Sequence, residues 1–139
     1  MASSSSSSNL LYDAFISHRG PDVNTLAKQL YKFLQERGCR AFLDCEEIEG
    51  EDPLPSAIQN GICSSRVQIA IFSKGYAESP WCLDELLLML QQTDALFIPV
   101  FYDVQPWELR HIWNVNSQYA AAFFDYERQG RNLDKLGKW

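Results

Sequence analysis

Two nearly continuous apolar runs, Val67 to Ser73 and Ala95 to Phe101, constrain the fold of this chain more than any other feature. A strand with water on one face alternates polar and apolar side chains, whereas a strand covered on both faces has no polar side, a condition met in parallel sheets. Parallel neighbours cannot be joined by a tight turn, so helical crossovers must lie between such strands. The sequence supplies them. Tyr12 to Ser17 reads as a first strand. After it, Leu26, Leu30, Phe33 and Leu34 recur at helical spacing from about Asn24 to Arg37, and Gly38 is placed to close that helix as its C′ residue. Arg40 to Asp44 reads as a second strand, and Pro53 can open a short helix reaching Ile62. Ser117 to Glu127 makes a later helix, and Leu133 to Trp139 reads as the start of a last one, truncated at 139. Residues 1–9 are a Ser-rich stretch expected to be a disordered leader, which leaves residues 10–139 as one domain.

Strands alternating with helices give a three-layer α/β fold with flavodoxin-like order, a central parallel sheet of four to five strands flanked by helices. With 139 residues, 46% of them hydrophobic, the chain can build one real core. The net charge of −6 argues against nucleic acid and anionic membrane as partners, since both reward basic patches. No apolar run is long enough to span a bilayer. Cys39, Cys45, Cys63 and Cys82 show no C-x-x-C spacing, so reduced structural cysteines are expected and no metal site.

The segment Ser79-Pro80-Trp81-Cys82-Leu83-Asp84-Glu85-Leu86 opens a helix, with Ser79 as N-cap and Pro80 as first helical residue. Its free N–H groups and positive dipole end suit a phosphate. At about 100° per residue, Leu83, Leu86, Leu87 and Leu90 form one seam, while Trp81 and Glu85 fall one turn apart on the other side. In open parallel sheets the ligand crevice lies at the carboxyl ends of the strands. Arg19 and Gly20, Glu49 and Gly50, and Ser79 with Trp81 and Glu85 follow the first, second and third strands in turn. Each also has an ordinary structural reading: Arg19 in an ion pair, the glycines in turns, His18 at an exposed strand end, and Trp81 against a neighbouring loop.

Five matches in order decide between these readings: Tyr12-Asp13-Ala14-Phe15-Ile16-Ser17-His18-Arg19-Gly20, Leu43-Asp44 with Gly50, Ile71-Phe72-Ser73-Lys74, the Trp81 to Leu86 motif, and Pro99-Val100-Phe101-Tyr102-Asp103-Val104-Gln105-Pro106. Together they resemble the plant-type TIR domain over residues 11 to about 128, in the form found in plant TIR-only proteins. The resemblance implies a fifth strand that is not legible here. It also implies an NAD+ nucleosidase or ADP-ribosyl cyclase, giving nicotinamide and ADP-ribose or its cyclic isomers. Such an enzyme would signal in plant immunity and cell death, be activated by self-association with other TIR domains, and sit in the cytoplasm with the nucleus also open to it. NAD+ would be the substrate, and no cofactor is implied. Glu85 matches the family's catalytic glutamate. Trp81 would stack on a substrate ring, Ser79 would help seat it, and Arg19 would pair with the pyrophosphate. His18 and Gly20 would shape the rim, and Glu49 and Gly50 belong to a loop over the cleft.

The chain departs from the commoner pattern at His18, usually Phe, at Glu49, often Arg, and at Lys28-Gln29, often Ser-His on a self-association face. Two other classes compete. A non-catalytic adaptor would only pair with other TIR domains, but it has no need of Glu85. A receiver domain shares the sheet but requires an acidic cluster and a phosphoacceptor Asp after a central strand, and Ser73-Lys74 occupy that strand end instead.

Overall fold

The structure, a computed structural model, describes residues 11–43, 56–111, 114, 116–117 and 119–128, with backbone alone at 77, 80, 81, 123, 126 and 127. Four strands, β1 (Tyr12–Ser17), β2 (Ala41–Leu43), β3 (Ser65–Phe72) and β4 (Leu96–Phe101), form one sheet in the order β2-β1-β3-β4. Every pairing is parallel, with Ala14 opposite both Ala41 and Val67, and Ile69 opposite Ile98. The helices are α1 (Pro21–Glu36), α2 (Ser56–Cys63), α3 (Lys74–Ala77), α4 (Pro80–Leu90), α5 (Pro106–Arg110) and α6 (Ala120–Arg128). The leader, the loop containing Glu49 and Gly50, the helix start at Pro53 and the segment from Leu133 lie outside the described residues.

The two-residue alternation of a strand sorts the core into two halves. Phe15 of β1 with Ala70 and Phe72 of β3 face α2 and α4, packing on Ile58, Ile62, Cys82, Leu83, Leu86 and Met89. Ala14, Ile16, Ile69 and Ile71 point the other way, onto Val23 and Ala27 of α1. The sheet is therefore the middle of three layers, as the apolar runs require.

The expected stripe on α1 is corrected at one position. Val23, Leu26, Ala27, Leu30 and Leu34 meet the sheet, while Phe33 is 48% exposed and lies under the Arg37 guanidinium, 3.6 Å from its ring centroid. Counting from Val23 at 3.6 residues per turn puts Phe33 beyond the edge of the apolar face. The helix also starts earlier than the stripe suggests. Gly20 is its N-cap and Pro21 its first residue, a start signal in the sequence that the apolar spacing did not use. A second correction concerns β4, where Leu96 and Ile98 are 61% and 38% exposed. It is an edge of the described sheet, so its apolar run is not covered on both sides as β3 is, and Pro99 is tolerated there because an edge strand can spare an N–H.

The end of α1 follows its sequence closely. Cys39 N–H bonds to Leu34 O at 2.9 Å and Gly38 N–H to Gln35 O at 3.1 Å, the paired bonds of a Schellman motif, with Gly38 at φ 80°. A Cβ at Gly38 would meet nothing within 4 Å. The cost of Gly38→Ala is then conformational alone, about 1–2 kcal/mol for a left-handed L-residue. A drop in Tm of roughly 3–6 °C is expected, with Gly38→Asn falling between wild type and Ala; an unchanged Tm in the Ala variant would mean that this turn relaxes freely.

Candidate functional site

All four strands point their carboxyl ends the same way, so the turns after β1 and β3 sit side by side at one edge of the sheet. Two glycines let them touch. Gly20 adopts φ 106°, ψ 152°, a region that only glycine occupies readily. A Cβ on Gly75 of α3 would lie 3.3 Å from Arg19 O and 3.6 Å from Gly20 Cα, so the two backbones meet with no side chain between. Ser73 fastens them. Its Oγ donates to Arg19 O at 3.1 Å and accepts from Tyr76 N–H at 3.3 Å, capping α3 in the same move. Tyr119 donates its hydroxyl proton to Ser73 O at 2.6 Å, and burial pushes that phenol's pKa far above its ordinary range, so the proton stays in place.

The start of α4 is as the sequence reads. Ser79 is the N-cap, its Oγ accepting from Cys82 N–H at 3.3 Å, and Pro80 is the first helical residue. Cys82 is buried, with Sγ 3.9 Å from His18 O, which ties this helix to the turn after β1. His18, Arg19, Gly20, Ser79 and Glu85 are therefore brought into one cluster at the carboxyl ends of β1 and β3. Trp81 contributes backbone to the first turn of α4, and its side chain lies outside the described residues, as do Glu49 and Gly50.

Glu85 is not where the helical wheel puts it. It is fully buried, between Cys82, Leu86 and Met89 on the inner face of α4, whereas Leu87 and Leu90 are only half-buried. The wheel failed because it assumed that apolar residues alone mark the inner face. Cys82, Glu85, Leu86 and Met89 repeat at i, i+3, i+4 and i+7, and a carboxylate occupies one place on that stripe. The reason it can do so lies on β1. Ser17 is two residues beyond Phe15, so strand alternation aims it at the α4 side of the sheet, and its Oγ lies 3.5 Å from Glu85 Oε2 and 3.0 Å from Tyr76 Oη. Ser17 and Tyr76 were missed in the sequence reading. The parity of β1 would have given Ser17, while nothing local in the sequence marks Tyr76. Tyr76 is fully buried and its phenol pKa is raised well above the ordinary value, first by burial and then by the charges available on Cys82 and Glu85.

Among the described residues no group of three or more His, Cys, Asp or Glu side chains could hold a metal ion, and no helix is long and apolar enough to cross a membrane. Residues 14–136 match the TIR domain family. The chain belongs to that family. This TIR domain is 35% identical over 144 residues to TMV resistance protein N of Nicotiana glutinosa, an alignment covering 100% of this chain and 12% of that protein. It is 40% identical over 99 residues to the Brachypodium distachyon protein named "Probable 2' cyclic ADP-D-ribose synthase BdTIR", covering 70% of this chain and 44% of that one. The chain thus spans less than half the length of these curated relatives. Among solved structures, the TIR domains of the activated Roq1 resistosome match with a TM-score of 0.76 at 34% identity, over 91% of this chain and 82% of that chain. The four-stranded parallel sheet is a TIR sheet, and its relatives include plant disease resistance proteins.

Gly20→Ala tests the turn on which the cluster rests. Its Cβ would fall 2.7 Å from Asp22 Oδ1 in a backbone region closed to alanine, a strain of about 1–3 kcal/mol. A Tm lowered by several degrees is expected in thermal unfolding. Wild-type stability would show that the turn can reach an ordinary φ without loss.

Proposed function

We propose that this TIR domain cleaves NAD+ at the bond between nicotinamide and ribose, with Glu85 as the catalytic carboxylate, and that it signals in plant immunity once copies associate. The observation that carries this reading is a carboxylate placed in a water-poor site at the carboxyl ends of β1 and β3, beside the turn that holds Arg19. The relative named for cyclic ADP-ribose synthesis supports the substrate class.

The chemistry follows from the leaving group. Nicotinamide is bound to ribose as a cationic pyridinium, so when the C1′–N bond breaks its electron pair passes to the ring nitrogen and the base departs neutral. Positive charge then gathers on the ribose as an oxocarbenium-like centre. A fixed negative charge in a medium of low dielectric stabilises that centre far more than water would. Water adding at C1′ and losing a proton gives ADP-ribose, and attack by an atom of the substrate's own adenosine portion gives a cyclic isomer. In this reading Arg19 takes the pyrophosphate, Trp81 stacks on a ring, and Ser79 with the α4 N-terminus seats the substrate. His18 and Gly20 form the rim, and Glu49 and Gly50 complete the set of substrate contacts. Because Glu85 is covered, the groups above it must part for the ribose to reach it.

That coverage favours a second reading, in which Glu85 is a structural group of the core and the domain is an adaptor working only through other TIR domains. Glu85→Gln separates the two. Gln keeps the shape and the Ser17 contact, whereas Ala would leave a cavity and a buried hydroxyl without its acceptor. Nicotinamide release from NAD+ should fall by at least about a hundredfold, with Tm close to wild type. Equal release from both proteins would remove Glu85 from the chemistry and leave the adaptor.

Association should govern the rate. The Roq1 match comes from a resistosome, and Glu46, Glu47, Glu49, Glu51 and Asp52 give two approaching copies a mutual repulsion that added salt would screen. Over a hundredfold range of enzyme concentration, specific activity should rise, and at lower concentrations when salt is added. Rates strictly proportional to enzyme would mean that one chain carries a complete site.

A further inference from the structure

We infer that Ser17 and Tyr76 are positioning residues for the Glu85 carboxylate, forming a chain of hydroxyl groups from α3 through the end of β1 to α4. This rests on the assignment of Glu85 as the reacting carboxylate, and extends it to what holds that group in place. Three fully buried polar side chains from three different elements converge: Tyr76 Oη is 3.0 Å from Ser17 Oγ, and Ser17 Oγ is 3.5 Å from Glu85 Oε2.

Each hydroxyl has one proton to give. If Ser17 gave its proton to the phenol, the carboxylate would lose that donor. If the phenol donates to Ser17 and Ser17 donates to Glu85, every proton is used and the last bond is charge-assisted, the stronger kind. Burial favours this order, because it raises the Tyr76 pKa and so holds the phenol in its protonated, donating form.

The far end of the chain is rigid. Tyr76 stands edge-on to Phe72, ring centroids 5.3 Å apart at 76°, and its N–H is held by Ser73 Oγ at 3.3 Å. Ser17 closes β1, where pairing opposite Ala70 fixes its backbone. The final contact, at 3.5 Å, is long, as catalytic hydrogen bonds often are before substrate arrives, and both of its groups are well anchored. The chain thereby sets the direction in which Glu85 presents its oxygens, and a misdirection of about 1 Å costs on the order of a hundredfold in rate. The other titratable groups about this chain are Cys82 on α4, Tyr119 ahead of α6, and His18 next to Ser17.

Ser17→Ala and Tyr76→Phe each delete a single oxygen and keep the packing, so both should fold, which thermal melts would check. Glu85 is followed directly by carbon NMR of protein labelled at the glutamate carboxyl carbon, its resonance assigned by loss in Glu85→Gln. Removing a donor to the charged form raises a carboxyl pKa. The Glu85 midpoint should therefore move up in Ser17→Ala, and by less in Tyr76→Phe. Identical midpoints in all three proteins would overturn the inference, whatever the kinetics. With NAD+ turning over in wild type, kcat should fall about ten- to a hundredfold in Ser17→Ala with KM within about threefold, and Ser17→Thr, which restores the hydroxyl, should recover part of it. An active wild type whose kcat is unchanged in both variants would also overturn it. Shifted midpoints in a wild type that releases no nicotinamide would uphold the chain and sink the NAD+ reading instead.

Discussion

Parallel pairing of β1 on both its edges is the constraint from which the rest of this domain follows. A strand flanked by β2 and β3 in parallel register has helices above and below it, so both of its faces are interior and its last residue, Ser17, is buried at the carboxyl end of the sheet. Position along such a strand decides everything about a side chain. Ala14 and Ile16 go to the α1 layer, Phe15 and Ser17 to the α4 layer, and only from Ser17 onward does the chain reach the edge where chemistry could occur. A single-residue slip would send Ser17 to the wrong layer and put Ile16 or His18 in its place.

Around that strand end, polar groups are arranged to be satisfied by one another, as burial demands. Ser73 illustrates the economy: one hydroxyl caps α3 and holds the carbonyl of Arg19, while the same residue's carbonyl accepts from Tyr119. Three segments far apart in sequence are fixed by one small residue at a strand terminus. Ser79 does the corresponding work for α4.

The fold was largely legible because it rests on periodicity and on punctuation. Tyr12–Ser17 is a strand with the bounds its sequence suggests, Gly38 ends its helix as a left-handed residue, and Ser79 and Pro80 open theirs. The misreadings share one physical origin. Helical wheels weight apolar residues, so Phe33 was placed inward and Glu85 outward, and the structure reverses both. A buried carboxylate is legible only when its partner is known, and that partner lies 68 positions away on β1. Family likeness pointed to Glu85 as functional, yet said nothing of Ser17 or Tyr76, whose roles depend on long-range convergence. For β4 the composition was read correctly as a strand and wrongly as enclosed, since neighbours in the sheet, not the strand itself, decide how much of it is covered.

The contact between Gly20 and Gly75 reaches beyond the turn it closes. A Cβ on Gly75 would fall 3.3 Å from Arg19 O, tighter than side chains ordinarily sit, and 3.6 Å from Gly20 Cα, so a side chain there presses on the turn after β1. Gly20 and Gly75 are in contact, so the effects of substitutions at the two positions are expected to couple rather than to sum. The turns after β1 and β3 are thereby one mechanical unit: a side chain added at Gly75 displaces the carbonyl of Arg19, which Ser73 holds, and the disturbance reaches both strand ends at once.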